Sequence, residues 1–149
     1  MKGAQAVKEI SAGGVVYRHQ DGQLQIQLIQ DRYGKITLAK GKMEPGETIE
    51  ETALREIVEE TGIQGKIIES IEMIAYQYTH PQYGFIDKEV HYYLVEALGG
   101  DLQAQIEEIR GVEWLDPDIA WRKQLESGYD NNNSVLSKAL HKLGYEVQK

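Results

Sequence analysis

The sequence contains no cysteine, only three prolines and a single phenylalanine among its 149 residues. Without cysteine, neither a disulfide nor a thiolate metal site is available, so any bound metal must be held by oxygen or histidine ligands. Long apolar runs are also missing, and none approaches the ~20 residues of a membrane-spanning helix. The first ten residues, MKGAQAVKEI, lack the apolar stretch of a signal peptide. These absences predict a cytoplasmic protein with no membrane partner.

Positive charge is scarce. The sequence has 16 lysines and arginines against 24 aspartates and glutamates, which gives a formal net charge of −8. Broad nucleic-acid binding depends on a basic surface, so the charge argues against that class of partner. No internal repeat, low-complexity tract or Pro/Ser-rich linker divides the chain. We therefore expect a single domain over residues 1–149, as a monomer or a homodimer.

The spacing of apolar residues predicts both strands and helices. Asp21-Gly22 suits a two-residue hairpin turn, and the residues after it alternate between apolar and polar side chains. We predict strands over residues 9–18, 24–28, 67–78 and 90–95, and helices over residues 48–61 and 134–143. The Asn131–Asn133 run is expected to be a loop that leads into the last helix. This mixture predicts an α/β fold, with an α/β/α sandwich around a mixed β-sheet.

The helix predicted over residues 48–61 has clear ends. Thr48 followed by Glu51 matches the capping-box pattern, and Gly62 stands where a left-handed C-terminal cap belongs. Ala53 and Ile57, together with Leu54, form an apolar face that can pack on the sheet.

Three glutamates lie near the end of this helix. Glu56, Glu59 and Glu60 stand at i, i+3 and i+4, so their carboxylates project from one side. Like charges at this spacing destabilise a helix by roughly 0.2–0.5 kcal/mol per pair, and the helix dipole disfavours negative charge at this end. One interpretation of this cluster is an acidic helix face exposed to solvent, and the other is a binding site for a divalent cation. Oxygen ligands in this number suit magnesium or manganese.

Arg55 is the next candidate residue. Its side chain can reach Glu51 or Glu59 one helical turn away, and a guanidinium can orient a carboxylate through two hydrogen bonds. The alternative is an ordinary surface ion pair, which contributes under ~1 kcal/mol.

Residues 41–63 read GKMEPGETIEETALREIVEETGI. This segment resembles the Nudix box, G-x5-E-x7-R-E-U-x-E-E-x-G-U, where U is an aliphatic residue. The fixed positions of the box are matched by Gly41, Glu47, Arg55, Glu56, Ile57, Glu59, Glu60, Gly62 and Ile63. From ordinary residue usage, a chance match anywhere in the chain has a probability on the order of one in 10⁷ or less.

The resemblance implies the Nudix fold and a metal-dependent pyrophosphohydrolase that acts on a nucleoside diphosphate-linked substrate. Magnesium is the expected metal and manganese is possible. The ligands that the resemblance implies are Glu56, Glu59, Glu60, the backbone carbonyl of Lys40, and Glu108. The last of these is counted back six residues from Trp114, and Glu107 and Glu113 are the alternatives.

The resemblance also implies catalytic roles for Arg55, Glu59, Glu60 and Glu108. Arg55 would orient the carboxylates, and Glu60 or Glu108 would accept the proton of the attacking water. Glu47 would support the start of the helix and the water network of the metal site.

Substrate-binding candidates lie outside the box helix. Arg32, Lys40 and Lys42 are expected to meet outer phosphates, although each could be a solvated loop charge. Tyr76, Tyr78 and Tyr83 are candidates for stacking on a base, which contributes ~1–3 kcal/mol per base, although alternating tyrosines also suit a strand. His80 and His91 could touch phosphate, but a lone histidine is more often structural.

Three separated segments, SAGGVVYR, LAKGKMEPGET and KEVHYYL, resemble the bacterial diadenosine tetraphosphate hydrolases. That group usually carries Trp and Pro where this chain has Ile36 and Ala39. The first hypothesis is therefore hydrolysis of diadenosine tetraphosphate to ATP and AMP. The second is a house-cleaning nucleoside triphosphate pyrophosphatase of the MutT type. The third is a non-catalytic, nucleotide-sensing Nudix domain, but such domains generally lose box glutamates that this chain keeps.

Overall fold

A computed structural model describes residues 7–104 and 109–147. Its strands are β1 (Val7–Gln20), β2 (Gln23–Asp31), β3 (Ile36–Thr37), β4 (Ala39–Lys42), β5 (Gln64–His80), β6 (Gly84–Gly99) and β7 (Ile109–Leu115). Its helices are α1 (Ile49–Thr61), α2 (Pro117–Ser127) and α3 (Asn133–Lys142), with a 3₁₀ turn at Asp130–Asn132. In these two ranges, no helix has the length and apolar character required to cross a bilayer.

The strands form one mixed sheet with β1 near its centre. The order is β3-β2-β1-β6-β5, while β4 pairs with β1 and β7 pairs with β2. β1 runs parallel to β6 and antiparallel to both β2 and β4. Its residues 11–14 pair with β4 and its residues 17–20 pair with β2, so two strands share one edge of β1. The ends of β2 and β4 therefore lie close to each other.

Helices cover both faces of the sheet. α1 packs on one face, where the buried residues are Ala12, Val16, Ile29, Ala39, Ala53, Ile57, Ile63, Tyr93 and Val95. α2 and α3 pack on the other face, where the buried core includes Val15, Ile26, Leu28, Tyr92, Leu94, Ala120, Leu136 and Leu140. The predicted α/β/α sandwich around a mixed sheet is confirmed.

The predicted turns and caps are also confirmed. Asp21 and Gly22 both have positive φ, at 53° and 79°, as the tight hairpin between β1 and β2 requires. Thr48 Oγ1 accepts the Glu51 N–H at 3.1 Å, and the Glu51 carboxylate accepts the Thr48 N–H at 2.8 Å. Gly62 has a φ of 80° and donates its N–H to the Val58 carbonyl at 2.9 Å. Local sequence therefore determines both ends of α1.

The helix α2 has no counterpart among the predicted elements. Ala120 is its one fully buried apolar residue in the core, while Leu125 is half exposed, so the helix lacks a clear apolar stripe. Its start could have been predicted from Asp116 followed by Pro117, because proline is favoured in the first turn of a helix.

Candidate active site

The last two turns of α1 bring carboxylates against the backbone of β4. Glu60 is only 8% exposed, and its Oε2 accepts the backbone N–H of Lys40 at 3.1 Å. Glu56 packs against Gly41, where a Cβ atom would lie 2.1 Å from the Glu56 carboxyl carbon. A side chain at position 41 would displace that carboxylate from its position. Glu59 points outward, with its side chain 51% exposed.

Arg55 joins these carboxylates to the loop before the helix. Its Nε and Nη2 donate to the two oxygens of Glu47 at 2.5 and 3.0 Å. Nη1 donates to Glu56 at 2.8 Å and to Glu59 at 3.1 Å, and Nη2 also donates to the Lys42 carbonyl at 2.9 Å. Of the two partners expected one turn away, Glu59 is contacted, while Glu51 is occupied by the N-terminal cap. The guanidinium therefore fixes three glutamates at once.

The carboxylates have different proton affinities. Hydrogen bonds from Arg55 and from the Glu44 N–H lower the pKa of Glu47 from 4.5 to about 2. Burial raises the pKa of Glu56 above its usual value of 4.5, even though Arg55 opposes the shift. The same ion pairs raise the pKa of Arg55, so it stays charged. Negative charge is thus held in a partly buried place where a cation would be stabilising.

The donors available for a metal are oxygen atoms. Within residues 7–104 and 109–147, no three acidic or histidine side chains already surround one point at ligand spacing. Glu107 and Glu108 lie outside the described residues. Glu56 and Glu60 nevertheless both face the Lys40–Gly41 backbone, and Glu59 is one turn away from Glu56. This oxygen-only set fits a hard divalent cation such as Mg²⁺ or Mn²⁺, which retains several waters.

A two-lobed cleft opens beside these carboxylates. The first lobe measures about 300 Å³ and is lined by Asp31, Arg32, Tyr33, Thr37, Leu38, Lys40, Glu60 and Ile109. The second lobe measures about 290 Å³ and is lined by Asp31, Thr37, Lys40, Tyr129, Asn131 and Asn132. The structure therefore brings two of the predicted phosphate-binding residues, Arg32 and Lys40, to the same cleft as Glu60.

Asp31 links the walls of the two lobes. Its Oδ1 accepts the backbone N–H groups of Tyr33 and Lys35 at 2.9 and 3.0 Å, which shapes the turn after β2. Its Oδ2 accepts the Tyr129 hydroxyl at 2.5 Å. The turn presents Tyr33, which is 69% exposed, with the Arg32 guanidinium 4.9 Å from its ring centroid. Tyr33 and Tyr129 were not among the predicted site residues.

Lys42, the third predicted phosphate-binding residue, points to a different group of side chains. Its Nζ lies 3.3 Å from Glu9, which also accepts the Lys88 ammonium at 2.6 Å. Lys88 is only 6% exposed and was not among the predicted site residues. The available signal was a lysine within the strand segment KEVHYYL. Burial, followed by the positive charge of Lys88, lowers the pKa of Lys40 below its usual value, while Glu60, Glu9 and Glu56 oppose the shift.

The three predicted stacking tyrosines lie apart from the described lining of both lobes. Tyr76 and Tyr78 are neighbours on β5, with ring centroids 6.3 Å apart, and the Tyr78 hydroxyl donates to Glu9 at 3.3 Å. Tyr83 lies in the β5–β6 turn, 4.7 Å from the His80 ring. The prediction that one of them stacks on a base stays a prediction.

The two histidines make local contacts. His80 Nδ1 accepts the Gln82 N–H at 3.0 Å inside the β5–β6 turn. His91 Nε2 lies 3.0 Å from a Glu89 carboxylate oxygen. That either histidine touches phosphate stays a prediction.

The sequence matches the NUDIX domain family over residues 7–136. It is 39% identical over 116 residues to the putative mutator protein MutT4 of Mycobacterium tuberculosis, which covers 73% of this chain and 46% of that protein. It is 34% identical over 80 residues to a putative 8-oxo-dGTP diphosphatase of Bacillus subtilis, which covers 54% and 49%. The chain thus spans about half the length of these curated relatives.

Solved structures of similar fold include a hydrolase and a MutT protein. A binary complex of the C. elegans Ap4A hydrolase has a TM-score of 0.71 and 26% identity, and covers 91% of this chain and 98% of that one. A MutT protein from Bacillus halodurans has a TM-score of 0.72 and 25% identity, and covers 89% and 82%.

Proposed function

Since this chain belongs to the Nudix family, we propose that it hydrolyses a phosphoanhydride bond in a nucleoside diphosphate-linked substrate with the help of a divalent metal ion. Nudix hydrolases generally use divalent metals. The observation that carries the proposal is the Arg55 clamp, which holds Glu47, Glu56 and Glu59 in place beside the cleft that Glu60 lines.

Glu56, Glu59 and Glu60 would hold the metal together with the Lys40 carbonyl, and Glu108 is a further candidate ligand. The cation would supply positive charge against the phosphate oxygens, where charge grows during the reaction. Arg55 keeps the carboxylates oriented, so their alignment is in place before substrate binds.

The remaining steps belong to side chains of the cleft. Arg32 and Lys40 bind outer phosphates and place the reacting phosphorus near Glu60. A water oxygen forms a bond to that phosphorus as the bond to the leaving phosphate oxygen breaks. Glu60, or alternatively Glu108, accepts the proton that the water loses.

Diadenosine tetraphosphate, cut to ATP and AMP, is the substrate we propose. The cleft has two lobes that meet at Lys40, which suits a ligand with two nucleoside ends joined by phosphates. Contacts to the remote nucleoside can lower the barrier at the reacting phosphate. The likeness to the C. elegans Ap4A hydrolase extends over nearly the whole of that chain and supports the same choice.

A nucleoside triphosphate pyrophosphatase is the second candidate function. It is favoured by the relatives named as a mutator protein and as an 8-oxo-dGTP diphosphatase. Ile36 and Ala39 point the same way, because they replace the Trp and Pro typical of the diadenosine tetraphosphate group. A non-catalytic sensor is a weaker candidate, because Glu56, Glu59 and Glu60 are all retained.

A substrate panel tests the choice. The purified chain, supplied with magnesium, is assayed against diadenosine tetraphosphate, the canonical nucleoside triphosphates and oxidised dGTP, with products resolved by chromatography. We expect ATP and AMP from the dinucleotide, at the highest kcat/KM of the panel. A triphosphate that is better by tenfold would reject the dinucleotide and favour the second candidate. No turnover of any member, with magnesium present, would reject the enzyme proposal itself.

A further inference from the structure

The turn between β2 and β3 is closed on Asp31. The Asp31 N–H donates to the Lys35 carbonyl at 2.9 Å, and the Gly34 N–H donates to the Asp31 carbonyl at 3.0 Å. The Asp31 side chain accepts two further N–H groups of the same turn, at 2.9 and 3.0 Å. Gly34 has a φ of 79°, a conformation that favours glycine. The turn is therefore one compact unit, and Arg32 is part of it.

Tyr129, from the segment between α2 and α3, contacts this turn twice. Its hydroxyl donates to Asp31 Oδ2 at 2.5 Å, and its ring centroid lies 5.2 Å from the Lys35 ammonium. Burial raises the pKa of Asp31, but the hydrogen bonds from Tyr129 and from the N–H groups of the turn outweigh burial and lower it. The acceptor is thus a charged carboxylate, and hydrogen bonds to charged groups are the stronger ones.

Tyr129 is itself held by the interior of the protein. Gln124 on α2 is 1% exposed, and its Nε2 donates to the Tyr129 carbonyl at 2.8 Å and to Asn133 Oδ1 at 3.0 Å. Gly128 packs directly on this amide, because a Cβ atom at Gly128 would lie 2.4 Å from the amide carbon of Gln124. Gly128 also forms a β-bridge with Ile36 at the start of β3. The segment that carries Tyr129 is therefore anchored before substrate binds.

The turn that Tyr129 contacts forms part of the cleft. Asp31 lines both lobes, and Arg32, the next residue, lines the first. A shift of the turn would therefore move the Arg32 guanidinium. Ordering a side chain during binding costs free energy, so a group that is already held in place binds its ligand more tightly. The hydrogen bond between Tyr129 and Asp31 thus stands where it can control the affinity of the cleft for phosphate.

We propose that Tyr129 is a positioning residue for phosphate binding: its hydroxyl holds Asp31, and Asp31 keeps the turn in the conformation that places Arg32 at the cleft. The inference rests on the proposed function for its ligand class, and it adds a residue that acts through Arg32. Without the hydroxyl, Asp31 Oδ2 loses its donor and the turn is held less firmly. Arg32 then has to be ordered when phosphate binds.

The alternative is that Tyr129 only stabilises the fold, and the two interpretations differ in what they predict for binding. A residue that only stabilises the fold lowers the melting temperature and leaves the affinity of the folded molecules unchanged. A positioning residue changes that affinity, and its effect depends on the side chain that it positions.

The test is a double-mutant cycle, measured by calorimetric titration of the metal-free full chain with inorganic tripolyphosphate. Tyr129→Phe removes one oxygen atom and keeps the ring, so the packing of the segment is retained. We expect Kd to rise about fivefold in Tyr129→Phe and about tenfold in Arg32→Ala. In the double variant Kd should rise no further than in Arg32→Ala, because a side chain that is absent cannot be misplaced.

Tyr93→Phe is the matched control. The Tyr93 hydroxyl also donates to a carboxylate, that of Glu50 at 3.1 Å, but it does so on the sheet face that α1 covers. Its removal should leave Kd unchanged. In steady-state hydrolysis of diadenosine tetraphosphate, Tyr129→Phe should raise KM and leave kcat near the wild-type value, because the Arg55 clamp is untouched. A lower kcat at an unchanged KM would contradict the positioning role.

An unchanged Kd in folded Tyr129→Phe would overturn the proposal, and so would an unchanged Kd in Arg32→Ala. Additive effects, with Kd about fiftyfold higher in the double variant, would mean that Tyr129 acts independently of Arg32 and would also overturn it. The titration needs no turnover. A failed substrate panel therefore leaves its result intact, and a failed titration leaves the proposed metal-dependent hydrolysis intact.

Discussion

Arg55→Lys tests the Arg55 clamp most directly. The substitution keeps the positive charge but removes the planar set of N–H donors that the guanidinium supplies. The guanidinium makes five donor contacts, to Glu47, Glu56, Glu59 and the Lys42 carbonyl. An ammonium carries three donors around one point, so it cannot reach both sides of the cluster. We expect Glu56 and Glu59 to lose their fixed orientation.

The expected loss of stability in Arg55→Lys depends on how far the Arg55 side chain is buried. A hydrogen bond to a charged group contributes roughly 1.5–3 kcal/mol, but the Arg55 side chain is 22% exposed and water replaces part of the loss. A net loss of about 2 kcal/mol in the free energy of unfolding corresponds to a fall in melting temperature of about 4–8 °C. Misplacing the carboxylates by about 1 Å should lower kcat by up to ~10²-fold.

Both quantities are measured on the same preparations. Melting is followed without metal, and steady-state hydrolysis is followed at saturating magnesium. Arg122→Lys, on the exposed side of α2, is the matched control and should change neither. A wild-type kcat in Arg55→Lys would refute the reasoning, since the clamp would then be a surface ion pair without influence on the carboxylates.

Three further outcomes are expected. Glu59→Gln and Glu60→Gln should each lower kcat by at least ~10² while melting stays cooperative, and near-normal turnover with saturating magnesium would contradict their assigned roles. Magnesium at 100 Kd should stabilise the protein by ~2.7 kcal/mol, chelator should reverse the gain, and Glu56→Gln should reduce it; a melting temperature indifferent to millimolar metal would speak against a cation site. Because the pKa of Glu47 is lowered from 4.5 to about 2, its stabilising effect is present above pH 4.5 and is lost as the pH falls toward 2. Metal-free Glu47→Gln should therefore lose less stability than wild type across that window, and parallel acid-melting profiles would exclude this contribution.

The box helix was predictable because its determinants are local. The cap at Thr48, the left-handed Gly62 and the apolar face of Ala53 and Ile57 lie within 15 residues of one another, and each has a fixed geometric meaning. The burial of Glu60 beside the sheet also follows from helical spacing, since it stands near the same face as Ile57.

The cleft and the ion pair between Lys88 and Glu9 are formed by residues that are distant in the sequence. Lys88 and Glu9 are 79 residues apart, and Tyr129 and Asp31 are 98 residues apart. One sequence contains no information about which strand lies beside which, so a lone lysine in a β-rich segment has no identifiable partner. The stacking of Tyr76 on a base stays a prediction. A single sequence does not show how far this side chain lies from the cleft, because that distance depends on how β5 is placed at the edge of the sheet.

The charge distribution of α1 suggests that its end is arranged for binding rather than for stability. Its last turn carries no basic residue, although a lysine or arginine there would be favoured by the helix dipole. Glu59 and Glu60 occupy that turn instead, and Arg55, one turn earlier, donates a hydrogen bond to Glu59. The end of the helix thus places negative charge beside a cleft that contains Arg32 and Lys40. A cation on the carboxylates and phosphates on the basic side chains would neutralise both halves together, so metal and substrate should each raise the affinity for the other.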